Sequence, residues 1–191
     1  MLSNISDLRR SQLFSGADEA LLRRCSKLFS AYAFRKGRRL FFQGETSHFV
    51  HLISTGHVRL SCLYHDGHEI SLAIVGPGHP VGEEALTGEA RRRLMATALD
   101  DCTTLAASAE SLIQIFNMEP ALAMNLAKYA SFRCSGVSVA LEDAARGRVR
   151  DRLLRALRRL ASEYGIASET GRQIGLRLTH ADIATFVGKH A

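Results

Sequence analysis

Closely spaced cysteines are missing from this chain. Cys25, Cys62, Cys102 and Cys134 stand more than thirty residues apart. They lack the C-x-x-C spacing that lets one local loop hold zinc or an iron–sulfur cluster. They read as scattered small thiols, mostly buried, which only a site assembled from distant parts of the fold would use together. Long apolar runs are missing too: none approaches the roughly 20 residues needed to cross a bilayer. Met1 to Arg10 has no apolar core of the kind a signal peptide carries. The expected location is therefore the cytoplasm, with no membrane partner. Neither G-x-S-x-G, a P-loop nor H-E-x-x-H occurs, which removes the commonest hydrolase, nucleotide-triphosphatase and metalloprotease signatures. No internal repeat or low-complexity segment is present.

What is there is ordinary globular material, unevenly charged. The 191 residues are 46% hydrophobic and 23% charged, enough for one large or two small domains with a buried core. Residues 1–116 carry 13 Lys/Arg against 12 Asp/Glu, a balance of +1, whereas residues 117–191 carry 12 against 7, a balance of +5. Positive charge gathered in one part suits phosphate neutralisation, and equally suits a solvated Arg-rich helix surface.

The hydrophobic period changes twice. Leu13 to Phe29 has helical spacing, with Leu21, Leu22, Cys25, Leu28 and Phe29 on one side, and reads as a short amphipathic helix or two. From Phe34 the period becomes two, and glycines recur like turns between short strands. The clearest hairpin runs from Val58 to Ile74 around Asp66-Gly67, a dipeptide preferred by two-residue type I′ turns. Its pattern predicts a shared buried face made of Val58, Leu60, Cys62 and Tyr64 with Ile70, Leu72 and Ile74. A further strand is expected from Met95 to Leu105. Several such hairpins suggest a jelly-roll barrel.

After Phe116 the pattern is helical for about fifty residues, the kind of stretch that splits in two within a compact domain. Pro120 suits a first turn. Leu122, Leu126, Ala130, Cys134, Val137, Leu141 and Ala144 form one long stripe, expected to pair with its copy in a parallel homodimer; the alternative is packing on the chain's own barrel. Gly147 marks a break. On the second helix Val149, Leu153, Leu157, Leu160 and Tyr164 form an apolar face, with Arg148, Arg152, Arg155 and Arg159 away from it. Gly165 to Leu178 reads as a turn-rich connection with a small hairpin.

The last residues resemble the first half of a helix-turn-helix. Thr179 is a good N-cap and Asp182 follows three residues later, as in a capping box. Ala184 leaves room for a crossing helix, and Gly188 supplies a left-handed stop. A recognition helix needs about eight further residues, so a chain continued through one is expected to bind DNA more tightly than this one. Ile183, Phe186 and Val187 are expected to need that helix as a cover.

In order, the ends of the first strands (Arg35-Lys36-Gly37, Gly44-Glu45), the hairpin entry Ser54-Thr55-Gly56-His57-Val58-Arg59-Leu60, the segment Gly82-Glu83-Glu84-Ala85-Leu86 and the closing Leu178-Thr179-His180-Ala181-Asp182-Ile183-Ala184 resemble the CRP/FNR family of bacterial transcription regulators. The resemblance covers nearly the whole chain. It implies an α+β fold: an N-terminal β-roll of the cyclic-nucleotide-binding type with N-terminal helices over 1–116, a dimerisation helix over 117–146, and the start of a winged helix-turn-helix over 147–191. It implies DNA as partner, with Thr179, His180, Lys189 and His190 toward the duplex, and RNA polymerase as a further partner.

The resemblance also implies a phosphate-binding cassette at Gly82, Glu83, Glu84 and Ala85, with Glu83 as the acid for a ribose hydroxyl and Arg92 as the phosphate ligand. Two departures stand out. Arg93 replaces the hydroxyl residue that follows the family's arginine, and Arg133-Cys134 stand where cyclic-AMP-dependent members place a Thr-Ser pair. A buried Arg133 requires a partner. Cyclic AMP is therefore not the expected effector; the chain is expected to act without one or with another ligand. The run Arg91-Arg92-Arg93 reads either as an anion site or as a solvated turn.

Two other classes compete. Six histidines (His48, His51, His57, His65, His68, His79) crowd into 32 residues, yet their spacing gives little support to a haem or metal site. His65 and His68 belong at a hairpin tip, and His51 reads as a packed imidazole. Cupin enzymes share the barrel but need two histidines one residue apart on a strand, so no catalytic residue is expected. The remaining alternative is a cyclic-nucleotide-, haem- or metal-sensing module without DNA binding.

Overall fold

The computed structural model describes residues 2–88, 91–145, 148–169 and 171–187. Gly147 and Gly188 to Ala191, including Lys189 and His190, lie outside the described residues, as do the side chains of Leu141 and Ala144. Among the described residues, no helix is long and apolar enough to cross a membrane.

Helices α1 (Leu2–Arg10) and α2 (Glu19–Ser26) precede eight strands: β1 (Ser30–Phe34), β2 (Arg39–Phe41), β3 (Phe49–Thr55), β4 (Val58–Leu63), β5 (Glu69–Val75), β6 (Pro80–Val81), β7 (Met95–Ala98) and β8 (Cys102–Ser108). They form two antiparallel sheets of order β1-β8-β3-β6 and β2-β7-β4-β5. Helices α3 (Ala109–Met118), α4 (Pro120–Ala145) and α5 (Val149–Tyr164) follow, then a small hairpin of β9 (Gly165–Ser168) and β10 (Gly171–Ile174), then α6 (His180–Val187). This is the expected β-roll, long helix and helical C-terminal segment.

Strand β3 explains the double layer. Val50 and Leu52 face the cluster built by Phe14, Leu22, Leu112, Ile115 and Leu122 on the helices. Ile53 points the other way, into the barrel with Phe41, Val58, Leu60, Val75 and Ala96. Alternate side chains leave opposite faces of a strand, so a strand buried on both faces reads as a continuous apolar run.

Several expectations are corrected. Helix begins at Ala109, before Phe116, because Ser108 caps α3 by accepting from the Ser111 N–H at 3.1 Å. The strand expected over Met95–Leu105 is two strands, β7 and β8, divided at Leu99 to Asp101. The Asp66-Gly67 turn is not type I′: only Gly67 has positive φ. Tyr64 C=O accepts from Gly67 N–H at 3.0 Å while Tyr64 N–H donates to His68 C=O at 2.8 Å, a longer loop ending in a left-handed glycine. The shared hairpin face is also different. Val75 and Ala73 oppose Val58 and Leu60 and join them in the barrel, whereas Ile74 packs with Leu160 on α5. Cys62 is half-buried and Tyr64 exposed, after a register shift between Leu60 and Ser61. Cys134 is exposed rather than buried.

The α4 stripe is divided. Leu122 is buried in the chain's own core and Leu126 packs against it. Ala130 is half-buried, while Cys134 and Val137 are exposed beyond the barrel beside Phe132. On α5, Arg159 does not turn away from the apolar face but lines a cavity next to Leu160. Phe186 is partly buried against Ile74 and Leu160.

Candidate functional site

The turn after β6 carries Gly82, and a short 3-10 turn follows over Glu83–Thr87. Strand β7 is preceded by Arg92, which is only 4% exposed. Its guanidinium donates from one nitrogen to Gly82 C=O at 2.9 Å and to Glu84 Oε1 at 3.1 Å, and from another to Phe49 C=O at 2.5 Å. Its flat face lies 4.1 Å above the Phe41 ring. The guanidinium lies so close to Gly82 that a Cβ there would meet Nη1 at 2.4 Å. The arginine therefore fills the cradle that a phosphate would use.

From the opposite side, Arg133 on α4 forms an ion pair with Glu83. Burial pushes the Glu83 carboxyl above its ordinary range, and the Arg133 charge opposes that rise. One turn earlier on α4, Tyr129 donates to Pro80 C=O at 3.0 Å, so the helix is fastened to the cassette at two successive turns. Arg91 is exposed and donates to Gly44 C=O at 2.9 Å; Arg93 is exposed.

The structure thus brings together Gly82, Glu83, Glu84, Arg92 and Arg133, and leaves Ala85 buried beneath the turn. Both terminal nitrogens of Arg92 are engaged by protein oxygens, Glu83 is paired with Arg133, and the positions of the family hydroxyls hold Arg93 and Arg133-Cys134. Sequence reasoning missed Phe49 and Phe41, since a backbone carbonyl and a ring face leave no motif. Tyr129 carried a faint signal: it sits one helical turn before Arg133.

Room exists one step away. A cavity of about 130 Å³ lies between β5, α4, α5 and α6, lined among others by Leu72, Tyr129, Arg133, Arg159, Glu163 and Phe186.

His51 packs inside the barrel against Tyr32, Phe34 and Phe41, with Nδ1 3.1 Å from Thr104 Oγ1. Burial, aided by the nearby Arg92 charge, pushes it down from its ordinary 6.5 to about 4. Unfolded chain takes up a proton that folded protein refuses between those values, so stability falls as pH drops through that window. His51→Gln should abolish a loss of about 2 kcal/mol between pH 7.5 and pH 5, read by urea unfolding of both proteins. Equal pH dependence in the two would contradict the buried neutral imidazole. His57 is paired with Asp100 at 2.8 Å, and His65 is exposed at the hairpin tip. Among the described residues, no three His, Cys, Asp or Glu side chains converge as a metal site.

At the C-terminal end the capping box is formed. Thr179 N–H and Oγ1 donate to Asp182 Oδ2 at 2.9 and 2.7 Å, and Asp182 N–H donates to Thr179 Oγ1 at 3.1 Å. Thr179 and His180 are exposed. Helix α6 rests on the barrel: Arg59 on β4 binds Glu69 at 2.9 Å and Asp182 at 2.7 Å, and Ser71 and Thr185 hydroxyls meet at 2.5 Å. None of these cross-contacts carries a sequence signal.

Comparison with known proteins agrees with this architecture. Residues 32–119 match the cyclic nucleotide-binding domain. The solved structure of the c-di-GMP-responsive global regulator CLP of Xanthomonas campestris superposes with a TM-score of 0.79 at 22% identity, covering 90% of this chain and 85% of that one. FixK2 of Bradyrhizobium japonicum gives 0.73 at 21%, covering 84% and 77%. These likenesses define the fold: a cyclic-nucleotide-binding-type β-roll followed by a long helix. The cyclic AMP receptor protein of Thermus thermophilus is 30% identical over 155 residues, 79% of this chain and 72% of that protein. The global nitrogen regulator of a Nostoc species is 29% identical over 157 residues, 81% and 70% of the two chains. The chain belongs to the CRP/FNR family of transcription regulators.

Proposed function

We propose that this protein is a homodimeric, DNA-binding transcription regulator of the cytoplasm that cyclic AMP does not switch. The observation that carries the second part is the engagement of both Arg92 terminal nitrogens by Gly82, Phe49 and Glu84 while Arg133 takes Glu83. The family's ordered parts support DNA binding. So do the excess charge of residues 117–191, the exposed Arg150 and Arg158 on α5, and the exposed Arg172 and Arg177. Thr179 and His180 would approach the duplex at the start of α6, and Lys189 and His190 in the segment after it; RNA polymerase is a natural further partner. Pairing of two copies along α4 would cover Phe132, which is 71% exposed, together with Cys134 and Val137. Leu141 and Ala144 would continue that seam.

The reading is tested with sedimentation analysis, calorimetry with cyclic AMP, and gel-shift on near-palindromic duplexes selected from a random library, using this chain and one continued through a recognition helix. Expected are a dimer, no heat of cyclic AMP binding, and duplex affinity that is indifferent to cyclic AMP and falls steeply with salt. A lone protomer, or affinity that rises with cyclic AMP, would overturn it. A second reading, control by a different small ligand, is favoured by the cavity beside Arg133 and Arg159.

A further inference from the structure

The outer face of the β2-β7-β4-β5 sheet carries a row of side chains unrelated to the cassette. Arg39 stands opposite Thr97, and Thr97 opposite Arg59. Directly opposed residues of antiparallel strands project on the same side, so the three form one line. Ile74, opposite Arg59, continues the line into the apolar contact with α5 and α6, which identifies this as the face beneath the helices. Lys36 closes the other end. The row floors a groove of about 220 Å³ that Glu69 and Asp182 also line.

Three buried polar atoms on residues lining this groove lack a hydrogen-bond partner among the described residues: the donors Thr97 Oγ1, on a residue 9% exposed, and Arg59 Nε, and the acceptor Glu69 Oε1. Leaving such groups unmet is costly, and the two donors mark places where an additional acceptor would be stabilised. The lining holds three cations, Lys36, Arg39 and Arg59, against the two carboxylates. Arg59 gives one terminal nitrogen to Glu69 and the other to Asp182. Asp182 offers it a single oxygen, because Oδ2 is occupied by Thr179 in the capping box.

We propose that this groove is an oxyanion site in which Asp182 sits as a resident anion, and that the phosphoryl group of a small molecule competes with it and frees α6 from the barrel. A phosphoryl group has the oxygens that Asp182 lacks. One can accept from the nitrogen that Asp182 now holds, a second from Thr97, and Lys36 and Arg39 balance the added charge. With Asp182 displaced, α6 keeps its cap but loses its ionic tie to β4. The consequence for DNA binding rests on the proposed function; the site itself does not.

The test uses the ¹⁵N-labelled full chain, titrated at constant ionic strength with inorganic phosphate and, separately, with acetate. The readouts are the Arg59 Nε–H resonance and amide exchange over Ile183–Phe186. Phosphate is expected to shift Arg59 saturably and to speed exchange in α6, with acetate ineffective at the same concentrations. Asp182→Asn should bind phosphate about tenfold more tightly, and Arg59→Gln should give no saturable response. Should Arg59→Gln fail to fold, Arg39→Gln and Lys36→Gln, both at exposed positions, should each weaken phosphate binding severalfold. Acetate binding as tightly as phosphate, unchanged α6 exchange, or an affinity indifferent to all these substitutions would overturn the proposal. None of these readouts involves DNA, so a failure in gel-shift and a failure here remain separate results.

Discussion

Arg92→Ala should destabilise the protein by about 3–5 kcal/mol, the range for removing one member of a buried, hydrogen-bonded charge group. The substitution strips the partner from Gly82 C=O, Phe49 C=O and Glu84 at once, and empties the space above Phe41. Arg92→Lys should recover little, since an ammonium cannot reproduce a planar fork that serves three oxygens while stacked on a ring. Arg91→Ala, at an exposed neighbour, should stay within about 0.5 kcal/mol and serves as the control. Urea unfolding at pH 7 measures all three. The result bears on function as well as stability. An arginine held in reserve for a ligand contributes little to the unliganded fold, so an Arg92→Ala cost below about 1 kcal/mol would remove the main support for independence from cyclic AMP.

Gly56→Ala should cost about 3 kcal/mol or more, combining an αL penalty with overpacking. Gly56 has φ of +78°, and a Cβ there would lie 2.6 Å from Asp101 C=O, 2.7 Å from Asp100 Oδ1 and 2.8 Å from Cys102 Cα. Two of those atoms are backbone and cannot step aside. The third belongs to the carboxylate that accepts from the His57 N–H at 2.6 Å and meets its ring nitrogen at 2.8 Å. His57 in turn packs edge-on against Tyr164 at the end of α5, so the damage should reach the contact between barrel and helices. Gly67→Ala separates the two contributions: its φ is +85° but nothing lies within 4 Å, and about 1 kcal/mol is expected. Thermal unfolding of both variants checks the difference. Equal costs would mean that the close approach of the Asp100–Asp101 turn contributes nothing.

The sequence made the element types legible wherever one hydrophobic period dominated, as along β4 and α4. It misled where both faces are buried or where a turn intervenes inside an apolar run. Strand β7 joins β8 through Leu99-Asp100-Asp101, and Leu99 is itself buried, so two strands looked like one. The face assignment failed on β5 because Ile74 and Val75 are both buried, one toward α5 and the other inside the barrel. The alternation there separates two cores rather than core from solvent. The cassette was legible through its resemblance, down to the convergence of Glu83, Arg92 and Arg133. What Arg92 does there was not, because three of its four partners are two main-chain carbonyls and an aromatic face. The arginine row beneath α6 was likewise invisible, since Arg39, Arg59 and Thr97 become neighbours only through strand register.

The division of α4 separates the making of a protomer from its assembly. Leu122 and Tyr129 are sealed into the chain's own interior, so the barrel and the early turns of the helix form a unit that needs no second chain. The later turns leave Phe132 and Val137 uncovered. Any association through them is a second-order event governed by mass action, so the assembled fraction rises with the number of copies present.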